Sequence, residues 1–321
     1  MKELNILTST DNNLVRHLFT QLKNIADNLL EYEVNFWLFH YRIPKADILE
    51  LKAYSEFLGI KFHEVYVDDF EDYNVLTKGA DDKYPYEAYF YFLAHKYLPE
   101  SIERALYIDA GDIIFDGDIE EFYCAPFEGN FIIATMGFSN RAELYTFNDI
   151  TDTALTPYIG SEYLNSGSVL LNLQLMRIFN IDFRFYENVV NYIIANTVRF
   201  TTENFTSPIH YCYDQGLLAM TFAGRIKFFD YEYFGFQALH MPYNFKPFYF
   251  EYNKERLKFN EDGEVKLPYE PHIIHLIGNK PWSTDKETYE KLLPVSRKYL
   301  DIFWKAEAEA KRWRREYSER N

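Results

Sequence analysis

The sequence predicts an α/β protein: a mostly parallel central sheet flanked by helices, with a helical extension at the C-terminus. Three observations carry that expectation. From Leu4 to Val67, short apolar runs alternate with stretches whose apolar residues recur at helical spacing. A fully apolar run, Ala105 to Ile108, stops abruptly at two carboxylates. The chain then ends in a segment of different charge, with eight Lys or Arg against five Asp or Glu from Arg297 to Asn321.

In chain order, Leu4 to Leu7 reads as a first strand, followed by the polar turn Thr8 to Asn13. Leu14, Leu18, Leu22 and Ile25 repeat as one helix face. Val34 to Phe39 is a second strand. Lys45 to Leu58 is a helix carrying Ile48, Leu51 and Tyr54 on one side, and Phe62 to Val67 is a third strand. Strand, helix, strand, helix, strand is the pattern of a parallel sheet with right-handed crossovers. The first strand-to-helix turn is the natural place to hold a nucleotide. It lacks G-x-G-x-x-G and the Walker pattern, so neither a dinucleotide fold nor a phosphate-cradling loop is supported. Asp68 to Lys83 reads as a polar loop, and Tyr86 to Leu98 as a helix ending before Pro99.

The chain is organised around Arg104 to Tyr123, RALYIDAGDIIFDGDIEEFY. Ala105 to Ile108 is too short for a helix and suits a buried strand. Asp109 and Asp112 emerge at its end, Ile113 to Phe115 is apolar again, and Asp116-Gly117-Asp118 closes the stretch with turn chemistry. In open α/β sheets ligands bind beyond the carboxyl ends of the strands. Two carboxylates there suit a hard divalent cation, which takes oxygen ligands and can bridge to nucleotide phosphates. The plainer reading is a solvated acidic loop. An EF-hand is excluded, because Ile114 and Tyr123 occupy the third and twelfth positions counted from Asp112. A strand-end Asp can also be a phosphoryl-accepting nucleophile, for which the chain offers no companion motif.

Phe131 to Met136 is a further strand, and residues 137–162 form a long loop over the site. Asn165-Ser166-Gly167 precedes the apolar run Ser168 to Leu171, and the glycine permits close backbone approach. Phe183 to Ala195 is helical. Tyr213-Asp214-Gln215 opens a helix through Met220, with Asp214 in the favourable first turn. From Phe228 to Tyr252, 12 of 25 residues are aromatic, which reads as a layer packed on the sheet. His272 to Ile277 is the last strand. Its two histidines, three apart, lie on opposite faces, so at most one faces the site. In the tail, a helix from about Asp285 places Leu292, Val295, Tyr299, Ile302 and Phe303 on the body. Trp313 and Tyr317, four apart among Lys311, Arg312, Arg314 and Arg315, form a small apolar patch in a basic collar. That patch suits an anionic membrane surface, or an acidic face of a second subunit in a homodimer.

The 321 residues suffice for one large core or two. At 48% hydrophobic and 26% charged the chain is globular rather than disordered, and its net charge of −16 argues against nucleic acid as a partner. The two cysteines, Cys124 and Cys212, give neither a disulfide framework nor a zinc pattern. No signal peptide or spanning run is evident, so a cytoplasmic location is expected, with peripheral contact on the inner membrane face through the tail.

Four stretches together resemble glycosyltransferase family 8, retaining enzymes that include bacterial galactosyl- and glucosyltransferases and glycogenin. ALYIDAGDIIFDGDI is similar to the family's strand and D-x-D metal motif, and YLNSGSVLLNL to its N-[SA]-G-V-L-L-[IL]-N-L segment. DQGLL is similar to D-Q-D-x-L-N, and HLIGNKPW to H-x-x-G-x-x-K-P-W. The resemblance runs from about Leu4 to Trp282 in the family order. It implies a GT-A fold, with a Rossmann-like nucleotide-binding half (1–123) and an acceptor half (124–282), to which the charge and spacing of the C-terminal segment add a helical tail (283–321). It further implies a UDP-sugar donor, a Mn²⁺ (or Mg²⁺) ion, and transfer of galactose or glucose to a glycan, lipopolysaccharide-type or glycoprotein acceptor.

Carried over by position, Asp109, Asp112 and His275 become metal ligands, and Asp11 and Asn12 fall on the uridine-binding turn. Asn165, Asp214 and Gln215 fall where the donor sugar is held near its anomeric carbon, and Gly278 and Lys280 on the diphosphate segment. This chain departs from the pattern at several points. Its metal motif, D-A-G-D, is one residue longer than D-x-D. Asn13 stands for the uracil-stacking Tyr, Tyr91 for the usual Arg before the motif, and Ala219 for an Asn. One residue is missing between Gly278 and Lys280. The alternative expectation is a catalytically silent sugar-nucleotide- or glycan-binding protein of the same fold.

Overall fold

The computed structural model describes residues 2–78, 85–136, 164–196, 213–229, 231–237, 258–259, 265–266, 270–277, 280–292 and 294–320. The chain begins with β1 (Lys2–Ser9), α1 (Val15–Asn28), β2 (Tyr32–His40), α2 (Lys45–Phe57) and β3 (Lys61–Tyr66). It continues through β4 (Arg104–Ile108), β5 (Ile113–Phe115), β6 (Ile132–Met136), β7 (Leu164–Asn172) and α3 (Phe183–Asn196). The remaining main elements are α4 (Asp214–Thr221), β8 (Ile226–Phe229), β9 (Ile273–His275), α5 (Lys286–Lys291) and α6 (Pro294–Arg320).

Seven strands form one sheet in the order β3-β2-β1-β4-β7-β6-β8. Every pairing in it is parallel except those of β7, which runs antiparallel to both β4 and β6. The expected α/β class with a mostly parallel sheet is therefore the observed one. Alternate residues feed two cores, one per face. Leu4, Ile6, Phe36, Leu38, Leu106 and Ile108 pack under α1 and α2. Leu7, Trp37, Phe39, Ala105 and Tyr107 face the aromatic segment around Tyr89 to Leu93. The first core is rich in aliphatics, and the second accounts for much of the aromatic excess.

A second, three-stranded sheet sets β9 between β5 and the two-residue strand Phe236–Gln237. His275 pairs with Ile113 antiparallel, so the end of β9 lies beside the start of β5. On its other edge β5 meets a side chain instead of a strand. Asn24 of α1 donates to the Phe115 carbonyl (3.1 Å) and accepts its amide (2.7 Å), closing the ladder that a neighbouring backbone would otherwise close.

Several local expectations differ from the structure. Tyr86–Leu93 is 3₁₀ rather than α-helical, with only Ala94–Tyr97 continuing as α. Tyr89 to Ala94 are fully buried, so the segment has no amphipathic stripe to favour the 3.6-residue repeat. The stretch read as a polar loop contains a 3₁₀ turn, Phe70–Tyr73, and a helical turn, Asn74–Thr77. Both are pinned by the fully buried Tyr73 and Leu76. The long loop at 137–162, Cys212 and much of the aromatic run after Phe229 lie outside the described residues. Within the described part of that run, Phe229 and Phe234 pack on Phe122, as the aromatic layer requires.

The tail is two helices, not one. Asp285 caps α5 by accepting the Thr288 amide (2.8 Å), and Pro294 starts α6, where its fixed φ suits a first turn. Tyr299, Leu300 and Phe303 are buried against Ile114, Ile274 and Leu276. Further along, Trp313 is turned onto the body. Its ring centroid lies 4.6 Å from that of Tyr54 and 4.8 Å from that of Tyr317. Beside it, Arg314 holds Glu50 by two hydrogen bonds of 2.9 Å. Trp313, expected to form an outward patch with Tyr317, is instead packed on the Tyr54 and Phe57 rings of α2, with Tyr317 stacked on its far side. Among the described residues no helix is long and apolar enough to cross a membrane.

Candidate active site

The strand order reverses direction at β1, which has β2 on one side and β4 on the other. That switch point, at the carboxyl ends of β1 and β4, opens the crevice in which such sheets bind ligands. A cavity of about 950 Å³ lies there, lined among others by Asp11, Asn13, Arg42, Asp109, Asp112 and Lys280.

Strand β4 delivers Asp109. The Asp109 amide still bonds the Gly167 carbonyl (2.9 Å), so the ladder with β7 runs into the turn. The chain then reverses over Ala110 and Gly111, and Gly111 has φ +86°, a conformation that a side chain disfavours. A Cβ there would also lie 2.7 Å from His17 Cβ. Gln21, fully buried on α1, fixes this turn from outside. Its Nε2 donates to the Asp109 carbonyl (2.8 Å), and its Oε1 accepts the Gly111 amide (3.3 Å). The left-handed glycine is what lets the lengthened motif bring its second carboxylate back: Asp109, Asp112 and His275 present ligand atoms within 4.8 Å of one another.

His275 reaches the group from β9. Its Nε2 is 3.6 Å from Asp109 and 3.7 Å from Asp112. Its Nδ1 lies 3.1 Å from Asn165 Oδ1, which also accepts the Gly167 amide at 2.9 Å. That shared acceptor orients the Asn165 amide, so Nδ1 carries the proton and Nε2 turns its lone pair toward the carboxylates. Gly167 is required by space: a Cβ would sit 2.2 Å from His275 Cε1. His272, three residues earlier, bonds the Asp118 carbonyl instead and lies outside the group.

Lys280 forms an ion pair with the nearly inaccessible Asp112. Burial works against the Asp112 carboxylate, but the Lys280 charge, joined by His275 only when that ring is protonated, outweighs it and holds the pKa down at about 2. Asp109 is raised, first by burial and then by the adjacent Asp112 charge. Its Oδ1 accepts the Tyr107 hydroxyl at 2.9 Å. Asp112 Oδ1 is buried and, among the described residues, has no hydrogen-bond partner. Such an orphaned carboxylate oxygen, beside a second carboxylate and an imidazole lone pair, fits a divalent cation of the Mn²⁺ or Mg²⁺ type.

The other sequence-predicted residues fall around this group. Asn165 is joined to it through His275, and its buried Nδ2 has no partner among the described residues. Asp214, at the start of α4, accepts the Tyr91 hydroxyl at 3.3 Å. Gln215 Oε1 accepts from the Ser166 amide (3.3 Å) and hydroxyl (3.4 Å), which sets it against the beginning of β7. Tyr91, where an Arg was expected, stacks on Tyr107 at 3.8 Å, so the phenols that hold Asp109 and Asp214 lie face to face. Asp11 is fixed by Asn13, whose amide (2.8 Å) and side chain (2.6 Å) both donate to it. Asn12 is exposed beside it, and Gly278 lies outside the described residues. Sequence reasoning missed Gln21, Asn24, Tyr107 and Arg42. The signal for the first two was present: both are polar residues interrupting the Leu18–Leu22–Ile25 face of α1.

A nucleotide-sized cavity at the switch point of a mostly parallel sheet, with a carboxylate–carboxylate–imidazole group at its floor, defines a GT-A glycosyltransferase fold. The model of the family described as "Glycosyl transferase family 8" matches residues 5–286. The chain belongs to that family. It is 27% identical over 166 residues to a lipopolysaccharide 1,3-galactosyltransferase of Salmonella typhimurium (strain LT2), a match covering 47% of this chain and 48% of the relative. The chain thus matches about half the length of that relative. Among solved structures, the galactosyltransferase LgtC, in complex with donor and acceptor sugar analogues, superimposes with a TM-score of 0.64 at 16% identity. That match covers 95% of this chain and 96% of LgtC. The glycosyltransferase GlyE of Streptococcus pneumoniae gives a TM-score of 0.60 at 14% identity, over 99% of this chain and 64% of GlyE. These likenesses concern the fold.

Proposed function

We propose that the protein transfers a hexose, galactose or glucose, from UDP to a bacterial glycan, lipopolysaccharide-type or glycoprotein acceptor, with retention at the anomeric carbon. The observation that carries this reading is the convergence of Asp109, Asp112, His275 and Lys280 at the floor of the switch-point cavity. A divalent cation held by the first three supplies charge neutralisation to the leaving diphosphate. Lys280 adds a point charge to the same group. Residues 1–123 then hold the nucleotide, with Asp11 and Asn12 at the uridine, while His275, Gly278 and Lys280 come to the metal and diphosphate from the other half. Residues 124–282 hold the sugar and acceptor, and 283–321 brace the first half from outside.

On the sugar side, Asn165 Nδ2 is a buried donor without an acceptor among the described residues, a place a sugar hydroxyl fills. Double displacement would need a nucleophile at the anomeric carbon. Gln215 offers only an amide oxygen already engaged with Ser166, and Asp214 is engaged by Tyr91. Front-side attack is therefore the favoured course. In it the acceptor oxygen bonds to the anomeric carbon as the bond to UDP breaks, and the acceptor proton passes to the departing phosphate oxygen.

Titration calorimetry with UDP and Mn²⁺, followed by UDP-release assays over a panel of donors, tests the proposal. Binding with donor-dependent UDP release supports it. Tyr91, bonded to Asp214 where an Arg was expected, favours a second reading, a silent donor-binding protein. Tight donor binding without UDP release to any acceptor or to water would establish that reading instead.

A further inference from the structure

The switch-point cavity has a second end. Away from Asp112 and Lys280 it is lined by Tyr41, Arg42, Tyr86 and Glu87. Glu87 is 2% exposed, an unusual position for a carboxylate, and Arg42 compensates it. Arg42 Nε donates to Glu87 Oε1 (2.9 Å) and Nη2 reaches Glu87 Oε2 (3.4 Å), a two-point grip that fixes the plane of the guanidinium. The same Nη2 is 3.5 Å from Asp11 Oδ2, so the grip places Arg42 against the Asp11 turn at the end of β1. Nη1 has no hydrogen-bond partner among the described residues, and the Arg42 side chain is 46% exposed. Asn13 cannot provide a stacking face, because its side chain is spent on Asp11. The cavity therefore ends in a planar cation beside an anion, both held in place before any ligand arrives.

We infer that Arg42, anchored by Glu87, reads the edge of the donor nucleobase together with Asp11 and selects uracil over cytosine. The inference rests on the reading of the donor as a nucleoside diphosphate sugar whose phosphates lie at the Asp112–Lys280 end. A base attached to those phosphates falls toward the Asp11–Arg42 end of the same cavity. Uracil presents a carbonyl acceptor at C4 next to an N3–H donor. Arg42 supplies a donor to the first, and Asp11, with carboxylate lone pairs to spare, accepts from the second. Cytosine reverses both groups, with an amine donor at C4 and a bare N3 acceptor, so it sets donor against donor and acceptor against anion. Guanine shows the same acceptor–donor order as uracil, so CDP is the discriminating ligand. Mismatch of hydrogen-bonding groups lets a site reject a near-isostere, here at a guanidinium whose plane Glu87 fixes.

The test measures UDP, CDP and pyrophosphate affinities in the presence of Mn²⁺ for the wild type, Arg42→Ala, Arg42→Lys and Glu87→Gln. The wild type binds UDP more tightly than CDP. In Arg42→Ala UDP affinity falls about tenfold or more, the loss expected for one charge-assisted hydrogen bond, while pyrophosphate affinity is unchanged. Arg42→Lys keeps the charge and the fold but not the planar fork, so it loses the UDP preference without losing pyrophosphate. Glu87→Gln weakens the anchor and gives an intermediate ratio. A UDP-to-CDP ratio that persists in both Arg42 variants overturns the inference and leaves the donor reading standing. A wild type that binds neither UDP nor pyrophosphate with Mn²⁺ overturns both.

Discussion

Gly167→Ala is the sharpest single perturbation of the site. The change adds one methyl group within β7, at a position where backbone strain is not the issue. The added Cβ would lie 2.2 Å from His275 Cε1 and 2.3 Å from its Nδ1. Carbon atoms in contact settle at about 3.5 Å or more, so the imidazole must retreat by more than about 1 Å. It has no room to do so freely, being 3% exposed and flanked by Asn165, Asp109 and Asp112. Overpacking of this kind costs about 1–3 kcal/mol of stability. The larger effect falls on the site: a displacement of about 1 Å in a positioned group commonly costs about 100-fold. Calorimetry of Mn²⁺ and UDP binding, with a thermal melt alongside, reads both quantities. We expect a folded protein with a lowered melting temperature and Mn²⁺-dependent UDP affinity reduced by about one to two orders of magnitude. Wild-type Mn²⁺ and UDP affinity in Gly167→Ala would refute the argument that His275 must sit where it does.

Three further outcomes are expected. Asp112→Asn removes the carboxylate whose Oδ1 is unpartnered and whose Oδ2 holds Lys280, and UDP–Mn²⁺ binding should weaken by at least about tenfold; equal binding would show that Asp112 is not a ligand. His17 has its pKa lowered to about 4, first by burial and then by Arg16 and Lys311. A histidine depressed in the folded state lends its stability above the unfolded value near 6.5 and loses it as pH falls toward 4, so acidification through that window should lower stability through this group, by less than the full shift because solvent screens it. The gap between urea midpoints at pH 7 and pH 4.5 should narrow in His17→Phe, which keeps the ring stacked on Trp282 at 3.9 Å in the wild type, with His95 still contributing in the same window; an unaltered pH slope would exclude His17 as a cause. Trp313→Ala strips the tail of its contacts with Tyr54 and Phe57 and should destabilise the fold by about 2–4 kcal/mol in chemical denaturation, whereas an unchanged midpoint would mean that the tail does not brace the body.

Local pattern made much of this protein readable without coordinates. A run of apolar residues broken by carboxylates identified β4 and the position of Asp109 and Asp112, because burial and its sudden end are written in consecutive residues. The strand–helix alternation of the first 67 residues foretold a parallel sheet for the same reason. Family motifs supplied His275, Asn165 and Lys280, which no spacing rule joins to Asp109 across more than 50 residues of chain. Other features needed the tertiary structure. The lengthened D-A-G-D motif converges because Gly111 adopts a left-handed conformation and Gln21, 90 residues earlier, caps the turn. The grip of Glu87 on Arg42 spans 45 residues and depends on how the 3₁₀ segment packs under β2. Trp313 faces inward rather than outward because α6 crosses α1 with Tyr54 beneath it, and helical spacing defines a face without saying what the face meets. The sequence determined the elements and the chemical groups they carry. Only packing across long stretches of chain decided which of those groups share a volume, since contact between distant residues is set by the whole core and not by any local pattern.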